Sequence, residues 1–290
     1  MLLASACDAS PRATSTPAIS VQDDAGQTVR LRAPAQRIVS LVPSVTDIIL
    51  ALGAADRLVA RTDFDKDPRL AHLPSVGQGL TPSIEWQTAV KPDLVVAWPD
   101  RRARSTVSQL TALGIPVYSS ATETLEQTLA TIRRVGVLLG LHARADSLIA
   151  LNEQQLANVR RQVANAPHPS VLYVVGFDPP FIAGPHTFID QLITIAGGAN
   201  AFADARSLWP QVSLEEIVRR QPDVVIVAGG DGDEGPASRL SQLPGWRELR
   251  AVKGGHAYTI DASLFNRPGP NIGKVAPKLA HLLHPERVPR

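Results

Sequence analysis

The sequence predicts an α/β protein of two lobes joined by one long helix. Three observations predict this class. Short apolar runs alternate with amphipathic helical patterns, as in parallel α/β sheets. The stretch from Leu141 to Asn165 near the middle contains no Pro or Gly. A motif in the first half recurs 130 residues later without a gap.

The elements follow in order. Ile19 to Arg32 alternates around Asp-Asp-Ala-Gly and reads as a β-hairpin. Arg37-Ile-Val-Ser-Leu-Val42 is a short apolar strand ended by Pro43. Ser44 to Leu52 reads as a helix stopped by Gly53, with Ser44 as N-cap and Asp47 three residues later as a weak capping-box partner. Leu94-Val-Val-Ala97 and Pro116-Val-Tyr118 give two further strands. Leu148, Ile149, Leu156, Val159 and Val163 fall near helical spacing, so the Leu141 stretch is a helix of roughly 36 Å, long enough to cross between lobes. A second α/β series follows: Val171-Leu-Tyr-Val-Val175, Val224-Val-Ile-Val227 and His256-Ala-Tyr-Thr-Ile260. The expected boundaries are a tether at 1–18, an N-terminal lobe at 19–140, a connecting helix at 141–166 and a C-terminal lobe at 167–290.

Composition narrows the function. Apolar residues make up 44% and charged residues 19%, with a formal net charge of +2, which suits a globular domain and not a nucleic-acid binder. No Cys/His cluster has zinc spacing, and no apolar run reaches about 18 residues. Cys7, the single cysteine, precedes a Ser/Thr/Pro/Ala-rich stretch that reads as a flexible tether. Ala4-Ser5-Ala6-Cys7 resembles a bacterial lipobox, which would make Cys7 a lipidation site. The apolar stub before it is shorter than the usual signal region of about 7–15 residues. That fits a start site upstream of Met1, or an inert cysteine in a disordered tail.

The repeat pairs Ser83-Ile-Glu85-x5-Lys91-Pro92-Asp93-Leu-Val-Val with Ser213-Leu-Glu215-x5-Gln221-Pro222-Asp223-Val-Val-Ile, and five of fifteen positions are identical. A weaker echo pairs Val45-Thr-Asp47…Gly53 with Phe188-Ile-Asp190…Gly197. Serine caps a helix, glutamate sits in its first turn near the positive dipole end, and Pro-Asp turns the chain into a buried strand. Glu85 and Glu215 therefore stabilise helix starts, or present one carboxylate per lobe to a partner that is itself two-fold.

With these residues in view, the chain resembles the periplasmic binding proteins of ABC importers for vitamin B12 and iron-siderophores, from about Arg37 to the C-terminus. The resemblance rests on Arg37-Ile-Val-Ser-Leu-Val-Pro-Ser, Ser-Ile-Glu85, Lys-Pro-Asp-Leu-Val-Val-Ala-Trp98, Asp178-Pro-Pro-Phe181, Trp209-Pro-Gln-Val-Ser-Leu-Glu215 and Phe265-Asn-Arg267. Pro-Pro-Phe and Trp-Pro-Gln-Val-Ser are more particular to the B12 branch. The resemblance implies Rossmann-like lobes joined by a single backbone helix, and a monomeric, extracytoplasmic, lipid-anchored protein without a cofactor of its own. Its partners would be an ABC permease dimer at the inner membrane and a corrinoid, cobalamin, as transported ligand. Glu85 and Glu215 match the family's permease-docking positions. Phe64, Trp98, Phe181 and Trp209 match ligand-lining positions, and all lie at strand ends or in loops, where open α/β sheets bind ligands. Arg267 matches a polar ligand contact. Two positions depart from the pattern: Gly79 stands where the family has tryptophan, and Ser263 where it has aspartate, with Asp261 two residues earlier.

Two other readings compete. A ferric siderophore or heme would use arginines in the cleft, and Arg61, Arg101, Arg102 and Arg104 flank Phe64 and Trp98. A two-lobed enzyme finds little support. The chain has no Gly-x-Ser-x-Gly, Walker loop or strand-to-helix Gly-x-Gly-x-x-Gly, and its seven histidines are scattered.

Overall fold

The computed structural model describes residues 19–79, 85, 89–101, 103–229 and 236–289. Cys7 with its lipobox, Ser83, Arg102 and Gly230-Asp231-Gly232 lie outside the described residues.

The chain opens with an antiparallel hairpin, β1 (Ile19–Gln22) and β2 (Thr28–Leu31). Its turn is closed by Asp23 Oδ1, which accepts from Ala25 N at 3.0 Å and Gln27 N at 2.7 Å. The first-lobe sheet is formed by β3 (Ile38–Ser40), β4 (Leu58–Ala60), β5 (Leu94–Ala97) and β6 (Val117–Ser119). These strands are parallel and ordered β4-β3-β5-β6. Among the described residues the helices flanking them include α1 (Pro43–Ala51), α2 (Arg104–Ala112) and α3 (Leu125–Leu138).

The start of α1 corrects one expectation. Its N-cap is Val42, with no side-chain cap, and Pro43 is the first helical residue. Proline lacks the N–H that a cap would satisfy, its φ is already helical, and it holds the preceding residue extended. The helix therefore begins one residue before Ser44, and Ser44 and Asp47 are released from capping. A true capping box occurs at α3, between Thr124 and Gln127.

The connecting helix is α4 (His142–Val163). Its 22 residues span roughly 33 Å. Ala145 and Ile149 on its first half belong to the first lobe's core, whereas Leu156, Val159 and Val163 belong to the second lobe's core.

The second sheet contains β7 (Ser170–Phe177), β8 (Pro180–Ile182), β9 (Ala199–Asn200), β10 (Val224–Gly229) and β11 (Ala257–Asp261). The order is β11-β10-β7-β8, with β9 beside the start of β7. Among the described strands of this sheet, only β8 runs antiparallel to its neighbour. Among its helices are α5 (Phe188–Ile195), α6 (Leu214–Arg220) and α7 (Ile272–Leu283), and α7 packs along α4.

The repeat has a geometric counterpart in both lobes. Lys91 and Gln221 both adopt the left-handed conformation, at φ 46° and 47°. Two residues on, Asp93 accepts from the backbone of Gln36 and Arg37, and Asp223 accepts from Ser170 N. Each aspartate thus ties the repeated strand, β5 or β10, to the entry of its central neighbour, β3 or β7.

Candidate functional site: the interlobe cleft

The C-terminal ends of the parallel strands face a cavity of about 560 Å³ between the lobes. The first lobe contributes Pro43, Ser44, Phe64 and Trp98, and the second contributes Gly229, Asp261, Ser263, Asn266 and Arg267. This is where open α/β sheets place ligands, and the volume lies in the range of small-molecule sites.

Phe64 is held outward by a tight turn. Asp65 Oδ2 accepts from Thr62 N at 2.7 Å and Thr62 Oγ1 at 2.8 Å, and both residues are buried. Phe64 at the turn's tip is 47% exposed, and its ring lines the cavity. Trp98 directly follows β5 and packs partly on the first lobe's core.

Arg267 sits in the loop entering α7, and this loop is pinned twice. Asn266 Oδ1 accepts from the buried Tyr173 hydroxyl at 2.6 Å. Burial holds the Tyr173 phenol well above its usual range, so it remains a donor. Three residues past Arg267, Pro270 O accepts from Asn152 Nδ2 at 3.0 Å, and Gly273 N donates to Asn152 Oδ1 at 2.7 Å. Asn152 is a buried polar residue in the middle of α4. From this anchored loop Arg267 crosses to the first lobe, where Nη2 donates to Phe64 O and Nη1 lies 3.6 Å from Asp47 Oδ2.

Phe181 and Trp209 are brought together, but apart from the side chains that line this cavity. Their ring centroids are 6.2 Å apart, and Phe188 lies 6.3 Å from Trp209. Trp209 Nε1 donates to Glu123 Oε2 at 3.0 Å, across the lobes. The five expected ligand contacts therefore fall into two groups: Phe64, Trp98 and Arg267 in one cavity, and Phe181 with Trp209 in an aromatic cluster that braces the lobes. Sequence reasoning missed Asp47, Glu123 and Asn152 as site-shaping residues. Asp47 carried only a helix-start signal, and the other two carried none.

The two departures from the family pattern have local explanations. Gly79 has φ +84°, and a Cβ there would stand 2.6 Å from Leu41 O, so no tryptophan fits that backbone. Ser263 donates through N and Oγ to Asp261 Oδ1, at 2.8 and 2.6 Å, and both residues line the cavity. Burial raises the Asp261 pKa, but hydrogen bonds from Ser263 and the Leu264 backbone, together with Lys278, hold the carboxyl below its usual range. The cavity therefore keeps an ionised carboxylate two residues from the departed position. Of the arginines, Arg61 Nη1 donates to Thr62 O at 3.2 Å, while Arg101 and Arg104 are exposed. Arg104 lines a neighbouring cavity that shares Trp98.

Glu85 is helical and exposed. Glu215 is exposed in the first turn of α6, capped by Ser213, whose hydroxyl accepts from Glu216 N. Hydrogen bonds from its own backbone N–H and from Ser213 hold the Glu215 carboxyl below its usual range. The adjacent Glu216 is committed within the lobe, pairing with Arg219 and, at 2.7 Å, with Arg220. Among the described residues no cluster of three His, Cys, Asp or Glu could hold a metal, and no helix is long and apolar enough to cross a membrane.

Known proteins show the same architecture. A periplasmic binding protein family model matches residues 38–264. The vitamin B12-binding protein of Yersinia pestis (strain Pestoides F) is 29% identical over 249 residues, covering 84% of this chain and 85% of that protein. The crystal structure of the vitamin B12-binding protein of Vibrio cholerae superposes with a TM-score of 0.73 at 28% identity, covering 86% and 97% of the two chains. The heme-binding protein of Roseiflexus sp. RS-1 superposes with a TM-score of 0.75 at 29% identity, covering 87% and 98%. Two α/β lobes, a single long helix between them and a cleft at the strand ends make this chain a member of the periplasmic binding protein family, a binding protein and not an enzyme.

Proposed function

We propose that the protein is the extracytoplasmic ligand-capturing component of an ABC importer and that it binds a corrinoid, cobalamin, between its lobes. The observation that carries this reading is the cavity in which Phe64 and Trp98 face Arg267 across the lobes. A flat, largely apolar ring with amide arms needs aromatic plates and a few donors, and these are the groups supplied. Phe181 and Trp209 extend the aromatic surface toward the ligand's rim, and Glu85 and Glu215 dock the loaded protein on a two-fold permease. Export with lipidation at Cys7 would keep it at the membrane.

Heme or a ferric siderophore is the second reading, favoured by the heme-binding relative and by Arg101 and Arg104 beside Trp98. Heme iron is held by His, Cys, Met or Tyr. Among the described residues the cavity is lined by none of these, whereas a corrinoid's cobalt already carries axial ligands. The lining therefore supports the corrinoid over heme.

The test is a titration of the purified protein with cyanocobalamin, hemin and a ferric hydroxamate, followed by tryptophan fluorescence. Saturable one-to-one quenching by cyanocobalamin, lost in Trp98→Ala, is the expected result. Saturation by hemin or the hydroxamate without any response to cyanocobalamin overturns the corrinoid assignment.

A further inference from the structure

We propose that Asp47 is a positioning residue of the ligand cleft: its carboxylate, together with the Phe64 carbonyl, holds the Arg267 guanidinium of the opposite lobe where it meets the ligand. The proposal rests on the cleft reading above and adds a residue that contacts the ligand only through Arg267.

The geometry is specific. Asp47 lies on α1 of the first lobe and Arg267 on the α7 entry loop of the second, so the pair spans the cleft. The guanidinium is planar, with five N–H donors in a fixed fork. Nη2 is engaged by Phe64 O, and Nη1 faces Asp47. Two acceptors on one lobe fix the plane of the fork and leave further donors for a ligand acceptor. The base of the side chain is fixed as well, by Tyr173 at Asn266 and by Asn152 at Pro270 and Gly273. Arg267 is thus anchored by its backbone in one lobe and aimed by Asp47 in the other.

The neighbouring acids are already committed. Asp65 accepts from the N–H and hydroxyl of Thr62, and Asp67 is bound by Arg69 Nε and Nη2 at 2.9 and 2.7 Å. Arg267, Asp65 and Asp67 act on Asp47, and Arg69, bound to Asp67, also feels the charge of Asp47. Burial raises its pKa, Arg267 lowers it, and Asp65 and Asp67 raise it, leaving the carboxyl pushed up to about 6. A site that keeps so perturbed a carboxylate is a candidate for function. Protonation removes the charge that aims Arg267, so ligand affinity falls as the pH drops through about 6.

The test uses the full chain with Asp47→Asn and Asp47→Glu, titrated with cyanocobalamin at about pH 7.5 and about pH 5, with circular dichroism confirming the fold. The expected result is a loss of about tenfold in affinity for Asp47→Asn at the higher pH, no further loss at the lower, and recovery to within about threefold in Asp47→Glu. Wild-type affinity in Asp47→Asn, or a loss in Asp47→Glu as deep as in Asp47→Asn, overturns the proposal. A second readout needs no ligand. The Arg267 Nε–Hε NMR resonance should titrate with a midpoint near pH 6 in the wild type and lose that titration in Asp47→Asn. If the wild type does not bind cyanocobalamin, the corrinoid reading falls and this resonance alone decides; a pH-independent Arg267 signal then overturns the role of Asp47.

Discussion

Asp47 lowers the stability of the ligand-free protein at neutral pH. Its carboxyl, ordinarily at 3.8, is held at about 6 in the folded state, so the folded chain binds that proton more tightly than the unfolded chain. Stability from this group is therefore greatest below the unfolded value, falls as pH rises through about 4 to 6, and stays low above. Asparagine keeps the shape without the charge. Asp47→Asn is expected to raise unfolding stability at about pH 7.5 by about 1–3 kcal/mol, with the gain vanishing below about pH 4. Urea unfolding at the two pH values checks this, and a gain that persists at the lower pH would show that the charge is not responsible. A variant that is more stable yet binds ligand more weakly separates a functional carboxylate from a structural one. At this scale the sequence was partly legible. Phe64 and Trp98 stood out because aromatics form only 4% of the chain and each lay at a strand end or in a loop, and Arg267 because it matches a polar contact of the family the chain resembles. Asp47 did not, because its partner lies in the other lobe and no local pattern encodes that meeting. The pairing of Phe181 with Trp209 was equally hidden, since it depends on the chain running back along β8 through the Phe181–Gln211 bridge.

Elements were legible where they are long or strongly apolar. Apart from β4, the strands of the two parallel series and the helix α4 fall within about two residues of their expected positions, because a buried strand or a Pro-free helix writes its period into the sequence. β4, β8 and β9 were not anticipated: runs of two or three residues are too few to show a period, and β8 begins at a proline. The repeat's Pro-Asp step into a buried strand and the Ser213 cap were legible because both are local chemistry; the left-handed residue before each proline was not read. In the second lobe the repeat builds a helix start, and in both lobes it places an exposed glutamate in helical backbone ahead of a buried strand. Exposed pairs contribute little affinity but strong orientation. Charge reversal in the double variant Glu85→Lys, Glu215→Lys is therefore expected to abolish transport of radiolabelled cyanocobalamin into proteoliposomes carrying the permease. Cyanocobalamin affinity should stay within about twofold of wild type, since each glutamate lies outside the cleft. Retained transport removes the docking role, and lost affinity reassigns the glutamates to helix stability.

The whole molecule is cross-braced, which bears on how far it closes. The single helix α4 is the covalent link, and each half of it is built into a different core, so bending it would disturb both. A second brace lies at the start of α3. Glu123 O accepts from Phe188 N at 2.6 Å, Leu125 N donates to Gln191 Oε1 at 2.7 Å, and Trp209 Nε1 reaches Glu123. A third is Arg267 on the cleft side. None of the side-chain braces could be read from sequence, because each joins residues far apart in the chain. Hinged closure requires a few residues to absorb large φ/ψ changes, and the helical link offers none. The cleft is therefore set nearly to its bound width before ligand arrives, and capture should involve side chains more than lobes. For a chain of this length the radius of gyration is about 19 Å; on saturation with cyanocobalamin it should change by less than about 1 Å in solution scattering. The brace makes this expectation specific. Trp209→Phe with Glu123→Gln removes the interlobe hydrogen bond while keeping the ring and the backbone contacts, and should enlarge the ligand-dependent change. A large compaction in the wild type would mean that α4 bends. A small change in both proteins would place the rigidity in α4 alone and leave the Glu123 contact without a mechanical role.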